Sequence, residues 1–241
     1  PLFRVALWRR LRLRVQETDT WCPFCAQVLD SYGDHALVCA CKGDRTVRHN
    51  RLRNLVFEEA IKGGMVVEKE KPNLLPGRPS EDGLRTEGEA RRPADVWWKD
   101  GKGGKSEAWD FAATSGMRAD RLGNAGGDKK GTSAVIQKYE EFKLNYQDTW
   151  RQCEDQGIAF IPMVVEAHGG GMSGNLRARI DEIARRQKCT GVDCEGVEPS
   201  LFIAQRFSLC LQAENARAVW RRLPQEVEER MGMEEEAWDV E

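Results

Sequence analysis

The spacing of apolar side chains along the chain alternates between helical and strand patterns. Leu2 to Val15 indicates a short helix that runs into an alternating Leu/Arg strand over 11–15. Apolar residues then recur at helical spacing up to Lys62, which predicts a helix that Asp44 caps and Gly63 and Gly64 end. The front of the chain is therefore expected to be mainly helical.

Short runs rich in β-branched and aromatic residues predict strands. They cover residues 65–70, 94–98, 106–113 and 158–165. Glycine-rich residues 100–104 predict a hairpin between the second and third runs. Helical patterns follow at 132–155, 174–188 and 200–222. The core order of helix, three strands, helix and strand predicts an α/β fold with a mixed sheet between helical layers.

Composition and length favour a folded, water-exposed chain. The 241 residues are 40% hydrophobic and 32% charged. No apolar run approaches the ~18 residues of a membrane span, and the N-terminus lacks a signal-peptide pattern. We therefore expect an intracellular protein without a membrane partner. Because Pro1 stands where Met would begin a chain, we interpret the sequence as part of a longer polypeptide.

Charge is distributed unevenly along the chain. Residues 1–55 contain ten Lys and Arg against five Asp and Glu, whereas residues 225–241 contain eight acids and one Arg. A basic front end suits a polyanion, although a solvated helix face explains the same charges equally well. The acidic end is expected to be a disordered tail over 224–241.

Four cysteines and a histidine lie close together in the front segment. Cys22, Cys25, His35 and Cys39 give the spacing C-x2-C-x9-H-x3-C, and Cys41 is an alternative fourth ligand. Zn²⁺ takes four nitrogen or sulfur ligands in a tetrahedron, and a filled site of this kind is structural. We predict such a zinc site. Free thiols in an ordinary loop are the alternative.

Two aspartates lie in apolar surroundings on the predicted hairpin. Asp95 begins one strand, and Asp110 lies on the next strand. Such carboxylates are costly to bury unless they are paired or bind a cation, and a carboxylate pair suits Mg²⁺. Lys143 on the following helix is the first candidate for a cation beside an attacking water, and Lys138 is the second. Glu70 could add a third carboxylate; two strand-end aspartates that cap turns are the alternative.

With these residues identified, the sequence resembles the restriction-like endonuclease domain of site-specific non-LTR retrotransposons, a branch of the PD-(D/E)XK nuclease superfamily. The resemblance covers roughly residues 20–168. The matching features are the CCHC spacing from Cys22 to Cys39, the R-x-x-R-H run at 45–49, Pro93 with Asp95 and then Asp110, and the helix with Lys143 and Tyr146.

The resemblance implies a zinc knuckle and basic segment over 1–42 and a restriction-endonuclease-like domain over 43–223. It implies Mg²⁺-dependent nicking of double-stranded DNA, whose new 3′ end primes reverse transcription. Catalysis would use Asp95 and Asp110 as magnesium ligands and Lys143 as the cation. The implied partners are a reverse transcriptase, fused or separate, and RNA or an RNA–DNA hybrid, and the implied location is the nucleus.

The basic run supplies the DNA contacts in this interpretation. They are Arg45, Arg48, His49 and Arg51. Three features depart from the family pattern: Ala94 separates Pro93 from Asp95, Ala112 stands where a lysine would follow Asp110, and three residues separate His35 from Cys39 where four are more typical. The second interpretation is therefore a nuclease fold that has lost catalysis and binds nucleic acid.

Overall fold

The computed structural model describes residues 1–76, 92–116, 131–225 and 227. The fold within these ranges is mixed α/β, with a four-stranded sheet and a separate two-stranded ribbon. No helix in the described ranges is long and apolar enough to cross a bilayer. Most of the predicted loops over 71–92 and 115–131, and most of the tail over 224–241, lie outside the described residues.

The first helix, α1, spans Leu2–Arg10 and ends in a sharp turn. Arg12 has a φ of +57°, and the amide of Leu13 donates to an α1 carbonyl at 2.7 Å. The strand predicted over 11–15 was wrong, because the chain reverses there. The reversal brings the Arg12 guanidinium onto both carboxylate oxygens of Asp34, at 2.9 and 2.6 Å.

A small Cys-containing unit follows α1. Its elements are β1 (Thr20–Trp21), β2 (Val28–Leu29), α2 (Asp34–Val38) and a 3-10 turn (Cys41–Gly43). β1 and β2 pair in antiparallel fashion. Gly33 enters α2 at a φ of +70°, and a Cβ added there would lie 2.9 Å from a methyl carbon of Val219. The position therefore requires glycine for both backbone and packing reasons.

Helix α3 spans Asp44–Lys62 and confirms the predicted range. Its apolar face is fully buried against the sheet. The predicted cap at Asp44 was wrong: Gly43 precedes the helix, and no side chain caps it. The carboxylate of Asp44 instead accepts from Arg221 at 2.5 Å and from Arg222 at 2.6 Å, because these guanidiniums approach from the last helix.

The larger sheet has the strand order β3-β4-β5-β6. Its strands are β3 (Val67–Lys69), β4 (Val96–Trp98), β5 (Ser106–Thr114) and β6 (Ile158–Glu166). The pairs β3–β4 and β4–β5 are antiparallel, whereas the pair β5–β6 is parallel. All four predicted strands are present, and the hairpin between β4 and β5 is confirmed.

Over residues 131–157, the crossover between β5 and β6 contains two helices in place of the single one predicted. They are α4 (Gly131–Asn145) and α5 (Thr149–Asp155), separated by a 3-10 turn (Tyr146–Asp148). The single helix predicted over 132–155 was wrong. Gln147 and Asp148 have φ of +53° and +57°, which an α-helix excludes. An unbroken helix of that range would be about 36 Å long and would overrun the nine-residue β6, about 30 Å long.

Two capped helices complete the described chain. α6 spans Gly174–Thr190, and the Ser173 hydroxyl accepts the amide of Leu176 at 3.2 Å. α7 spans Pro199–Trp220, and the Glu198 carboxylate accepts backbone amides of its first turn. Both predicted helices are confirmed, and the cap residues explain where each begins.

The helices lie on both faces of the sheet. α3, α6 and α7 cover one face around the fully buried Trp109, which meets Trp98 edge-on at 5.9 Å. α4 and α5 cover the other face, which carries Ala108 and Ala112. A third apolar cluster joins α1 and the Cys-containing unit to the end of α7. The segments on either side of residue 42 therefore pack against each other.

Candidate metal centre and acidic cleft

The four predicted zinc ligands lie together in the structure. One ligand atom each of Cys22, Cys25, His35 and Cys39 lies within 4.8 Å of the others. The Cys25 sulfur is 3.1 Å from His35 Nε2 and 3.7 Å from the Cys39 sulfur. A tetrahedral zinc with Zn–S bonds of about 2.3 Å separates its sulfurs by about 3.8 Å. The spacing therefore fits a zinc ion.

Local structure holds these four side chains in place. The turn between β1 and β2 carries Cys22 and Cys25, and α2 carries His35 with Cys39 directly after it. The Asp30 carboxylate accepts three backbone amides at the start of α2, at 2.8 to 3.1 Å. That arrangement fixes the direction of the helix and with it the His35 ring.

The electrostatics of the group also suit a cation. Burial, reinforced by the adjacent Cys22 and Cys39 thiols, raises the pKa of Cys25 to about 11. A metal ion would reverse this effect, because it stabilises the thiolate form. Burial and the nearby Arg222 lower the pKa of His35, which favours the neutral imidazole that zinc binds.

Cys41 lies outside the four-atom group. Its carbonyl accepts a hydrogen bond from Arg222 at 3.2 Å. Burial would raise the pKa of Cys39, but the backbone amide of Cys41 and the side chain of the same arginine outweigh it and the pKa is lowered. The geometry favours Cys39 over Cys41 as the fourth ligand.

The two predicted catalytic aspartates meet at the start of β4. Val96 pairs with Trp109, and the amide of Asp95 also donates to the Trp109 carbonyl, at 2.9 Å. Asp95 Oδ2 accepts the amide of Phe111, the residue after Asp110, at 2.6 Å. Its carboxylate therefore adjoins Asp110.

Lys143 reaches this pair from the α4 side of the sheet. Its Nζ lies 2.8 Å from Asp110 Oδ2. Burial raises the pKa of Asp110 to about 6; Lys143 opposes this increase, and Asp95 adds to it. Burial would lower the pKa of Lys143, but Asp110 outweighs it and the pKa is raised. Lys143, predicted as the cation beside an attacking water, thus lies against Asp110 in the structure.

His49 reaches the pair from the opposite layer. Its Nε2 lies 3.0 Å from Asp95 Oδ1, and its side chain is 29% exposed. The sequence predicts that His49 contacts DNA, whereas in the structure its imidazole contacts the carboxylate of Asp95. The acidic pair therefore receives a histidine from α3 and a lysine from α4.

An open cleft of about 320 Å³ adjoins Asp110 and Lys143. Its lining residues are Arg92, Pro93, Asp110, Lys143, Tyr146, Thr149 and Phe160. Arg92 and Lys143 supply positive charge, and Asp110 supplies negative charge, within one concave surface. Such a cleft can hold a phosphate group beside a carboxylate-bound cation.

The basic run of α3 is divided between surface and interior. Arg45 and Arg51 are exposed, and Arg51 lies 3.6 Å from Glu214. Arg48 is only 4% exposed; its guanidinium donates to Asn215 at 2.8 Å and to the Leu37 carbonyl at 3.0 Å. The structure does not support a phosphate contact at Arg48, because burial and these partners occupy its side chain.

The remaining candidates lie outside the acidic pair. Glu70 forms an ion pair with Arg53 and lies 3.9 Å from Arg92, so its carboxylate is directed to arginines. Its amide nevertheless donates to the Asp95 carbonyl at 3.0 Å. Lys138 is exposed on α4. Neither observation adds a third carboxylate or a second lysine to Asp95 and Asp110.

A further polar cluster joins the Cys-containing unit to the end of β6. His168 Nε2 lies 3.2 Å from Asp34, and its Nδ1 lies 3.1 Å from Glu166. Burial would lower the pKa of His168, but the two carboxylates outweigh it and the pKa is raised. Sequence reasoning missed this cluster and the His49 contact. The small number of histidines was the sequence feature that could have indicated both: the chain has three, and all three lie in polar clusters.

Comparison with known proteins adds no family assignment. The sequence matches no protein-family model and no curated protein. The interpretation of the cleft therefore rests on the residues and geometry described above.

Proposed function

We propose that the chain is a metal-dependent DNA endonuclease. The observation that carries the proposal is the contact of Lys143 with Asp110 at 2.8 Å, next to Asp95 and at an open cleft. Two half-buried carboxylates can hold a metal ion that activates water for phosphodiester hydrolysis, and a lysine beside them can stabilise the charge that develops.

The order of elements supports a PD-(D/E)XK assignment. α3 precedes the antiparallel strands β3 to β5, and the crossover helices then lead to the parallel strand β6. The aspartates occupy the central hairpin, as they would in the restriction-like domain of a site-specific non-LTR retrotransposon. On this proposal the domain nicks double-stranded DNA in the nucleus, and the new 3′ end primes a reverse transcriptase that copies RNA.

The donor set fits Mg²⁺, which binds through one or two carboxylates and keeps several waters. Asp95 and Asp110 would hold it. Bound there, the ion would lower the pKa of a coordinated water and stabilise charge on the phosphate. His49 orients Asp95 through its 3.0 Å contact. Lys143 would place a positive charge beside the attacking oxygen, and Arg92 would attract the phosphate.

The zinc unit would have a structural role, because its four ligands leave no open position. DNA binding is assigned to the exposed Arg45 and Arg51 together with the cleft cations. Arg48 instead anchors α3 to α2 and α7.

A plasmid-nicking assay tests the proposal. Wild type should convert supercoiled plasmid to open circles with Mg²⁺ and not in EDTA. Lys143→Met should reduce the rate by roughly 10²-fold or more, the scale for loss of one preorganised charge. Lys188→Met is the matched control, since this lysine lies on α6 and pairs with Glu198. Equal nicking by wild type and Lys143→Met would refute the assignment of the site.

A binding module is the second candidate. The favouring observations are Ala112 at the position of the usual lysine and an Asp110 carboxylate already paired with Lys143. This candidate predicts salt-dependent DNA binding by wild type with no Mg²⁺-dependent nicking. The same plasmid preparation, assayed for mobility shift and for nicking, distinguishes the two.

A further inference from the structure

An aromatic surface lies beside the acidic cleft on the outer side of α4. It consists of Tyr139, Phe142 and Tyr146, called here the aromatic stripe. Neighbouring ring centroids are 5.6 and 5.4 Å apart, with interplanar angles of 51° and 45°. Phe142 is 50% exposed and Tyr146 is 48% exposed. Together with the partly buried Tyr139, these two rings form a contiguous patch, and contiguous apolar patches mark binding surfaces more than single exposed rings do.

Helical geometry places cations along both edges of the stripe. At about 100° per residue, Phe142 and Tyr139 project about 60° apart, with Lys138 about 40° to one side and Lys143 about 40° to the other. The acidic side chains of α4 are directed elsewhere: Glu140 accepts from Asn175, and Glu141 accepts from Gln137. The ligand that fits is therefore flat, apolar on its faces and negatively charged along its edge.

The stripe is continuous with the cleft. Tyr146 lines the cleft together with Asp110 and Lys143. A strand that places a phosphate at Asp110 would carry its neighbouring nucleotides toward Tyr146 and Phe142. Bases within a duplex have their faces covered by stacking, so only an unpaired base can lie on these rings.

We propose that the aromatic stripe binds unpaired bases of the DNA strand next to the phosphate that is cut. This inference rests on the proposed nuclease function and specifies its substrate: a duplex that is locally opened, or a single strand, at the cleft. The rings provide sequence-independent stacking, and the exposed Lys138 provides a contact for a backbone phosphate.

The test measures binding without cleavage. The chain, in buffer without added Mg²⁺, is titrated into a fluorescein-labelled oligothymidylate and, separately, into a fully paired duplex. Phe142→Ala and Tyr146→Ala should each weaken oligothymidylate binding roughly tenfold, equivalent to ~1.4 kcal/mol, and change duplex binding much less. Phe3→Ala removes a ring that is 63% exposed on α1 and should bind as wild type does.

A second measurement follows stacking directly. A fluorescent adenine analogue in the oligonucleotide should be quenched by wild type and remain bright with Phe142→Leu, which keeps an apolar side chain but no ring. Thermal unfolding shows that each variant is folded.

Equal oligothymidylate affinities, or equal losses for single strand and duplex, would overturn the inference. A second result would also overturn it: Phe142→Ala abolishes self-association in sedimentation while DNA binding is unchanged. The aromatic stripe would then be an interface between protein chains. Failure of the proposed nuclease function is detected separately, as absence of nicking despite ring-dependent binding.

Discussion

Replacing Asp110 by Asn should make the metal-free protein more stable while it abolishes nicking. Asn has the shape of the protonated carboxyl but carries no charge. Burial raises the pKa of Asp110 from the ordinary value of 3.8 to about 6, even though Lys143 lies 2.8 Å away. The ionised form is therefore disfavoured in the folded chain.

The magnitude follows from that pKa. Because a tenfold change in an acid constant equals ~1.4 kcal/mol, a rise from 3.8 to about 6 makes the ionised carboxyl cost ~3 kcal/mol of stability. The unfolded chain loses this proton near pH 3.8 and the folded chain near pH 6. The cost is therefore absent at lower pH, grows between these values and is complete above pH 6.

Thermal unfolding of wild type and Asp110→Asn in buffer without added Mg²⁺ checks this reasoning, because a chelator would also remove zinc held by Cys22, Cys25, His35 and Cys39. The variant should unfold roughly 6–12 °C higher at pH 7.5, given ~2–4 °C per kcal/mol for a chain of this size. The two should converge near pH 4. Adding Mg²⁺ at ten times its dissociation constant should stabilise wild type by ~1.4 kcal/mol and leave the variant unchanged.

Lower stability of Asp110→Asn at pH 7.5 would refute the argument. It would show that Asp110 and Lys143 form a stabilising ion pair, and the site would lose its resemblance to a metal centre. The same variant must also fail in the nicking assay while it retains DNA binding, because no phosphate-binding cation is removed.

Three further outcomes are expected. Purified protein should contain one zinc per chain by elemental analysis, and Cys39→Ser should lose it while Cys41→Ser retains it; the reverse pattern would reassign the fourth ligand. Replacing Arg45 and Arg51 by Ala should flatten the slope of log K against log salt by about two, and an unchanged slope would remove them from the DNA surface. His168→Gln should lower the free energy of unfolding by ~1–3 kcal/mol at pH 6 and by less at pH 9. The raised pKa of His168 makes the stabilisation by its charged form complete below about pH 6.5, and this stabilisation is lost as pH rises. Equal losses at both pH values in urea unfolding would contradict this.

The sequence predicted the sheet well because its strands are buried runs. Residues 158–165 are strongly apolar and 106–113 contain a run of small and aromatic residues, and β6 and β5 occupy these ranges with one further residue each. The turns that break regular patterns were not predictable. Arg12, Gln147 and Asp148 adopt positive φ without glycine, and only tertiary contacts select that conformation.

The burial of Arg48 shows a different limit. Arg48, Leu52, Val56 and Ala60 recur every four residues, so the arginine continues the apolar face of α3. The signal was present, but the net positive charge of the segment favoured a surface interpretation. Burial lowers the pKa of Arg48 to about 10, which reflects how completely the fold encloses it.

The Cys-containing unit and the acidic cleft are linked through one turn of α3. Arg48 donates to the Leu37 carbonyl of α2 and to Asn215 of α7, and the next residue, His49, contacts Asp95. A shift of α2 therefore acts on the same helical turn that holds the carboxylate. The His168 contacts form a second link, from Asp34 beside the zinc ligand His35 to the end of β6. Asp95 is therefore tied through His49 and Arg48 to the Cys-containing unit as well as to the sheet, whereas the His168 contacts tie the same unit to the end of β6.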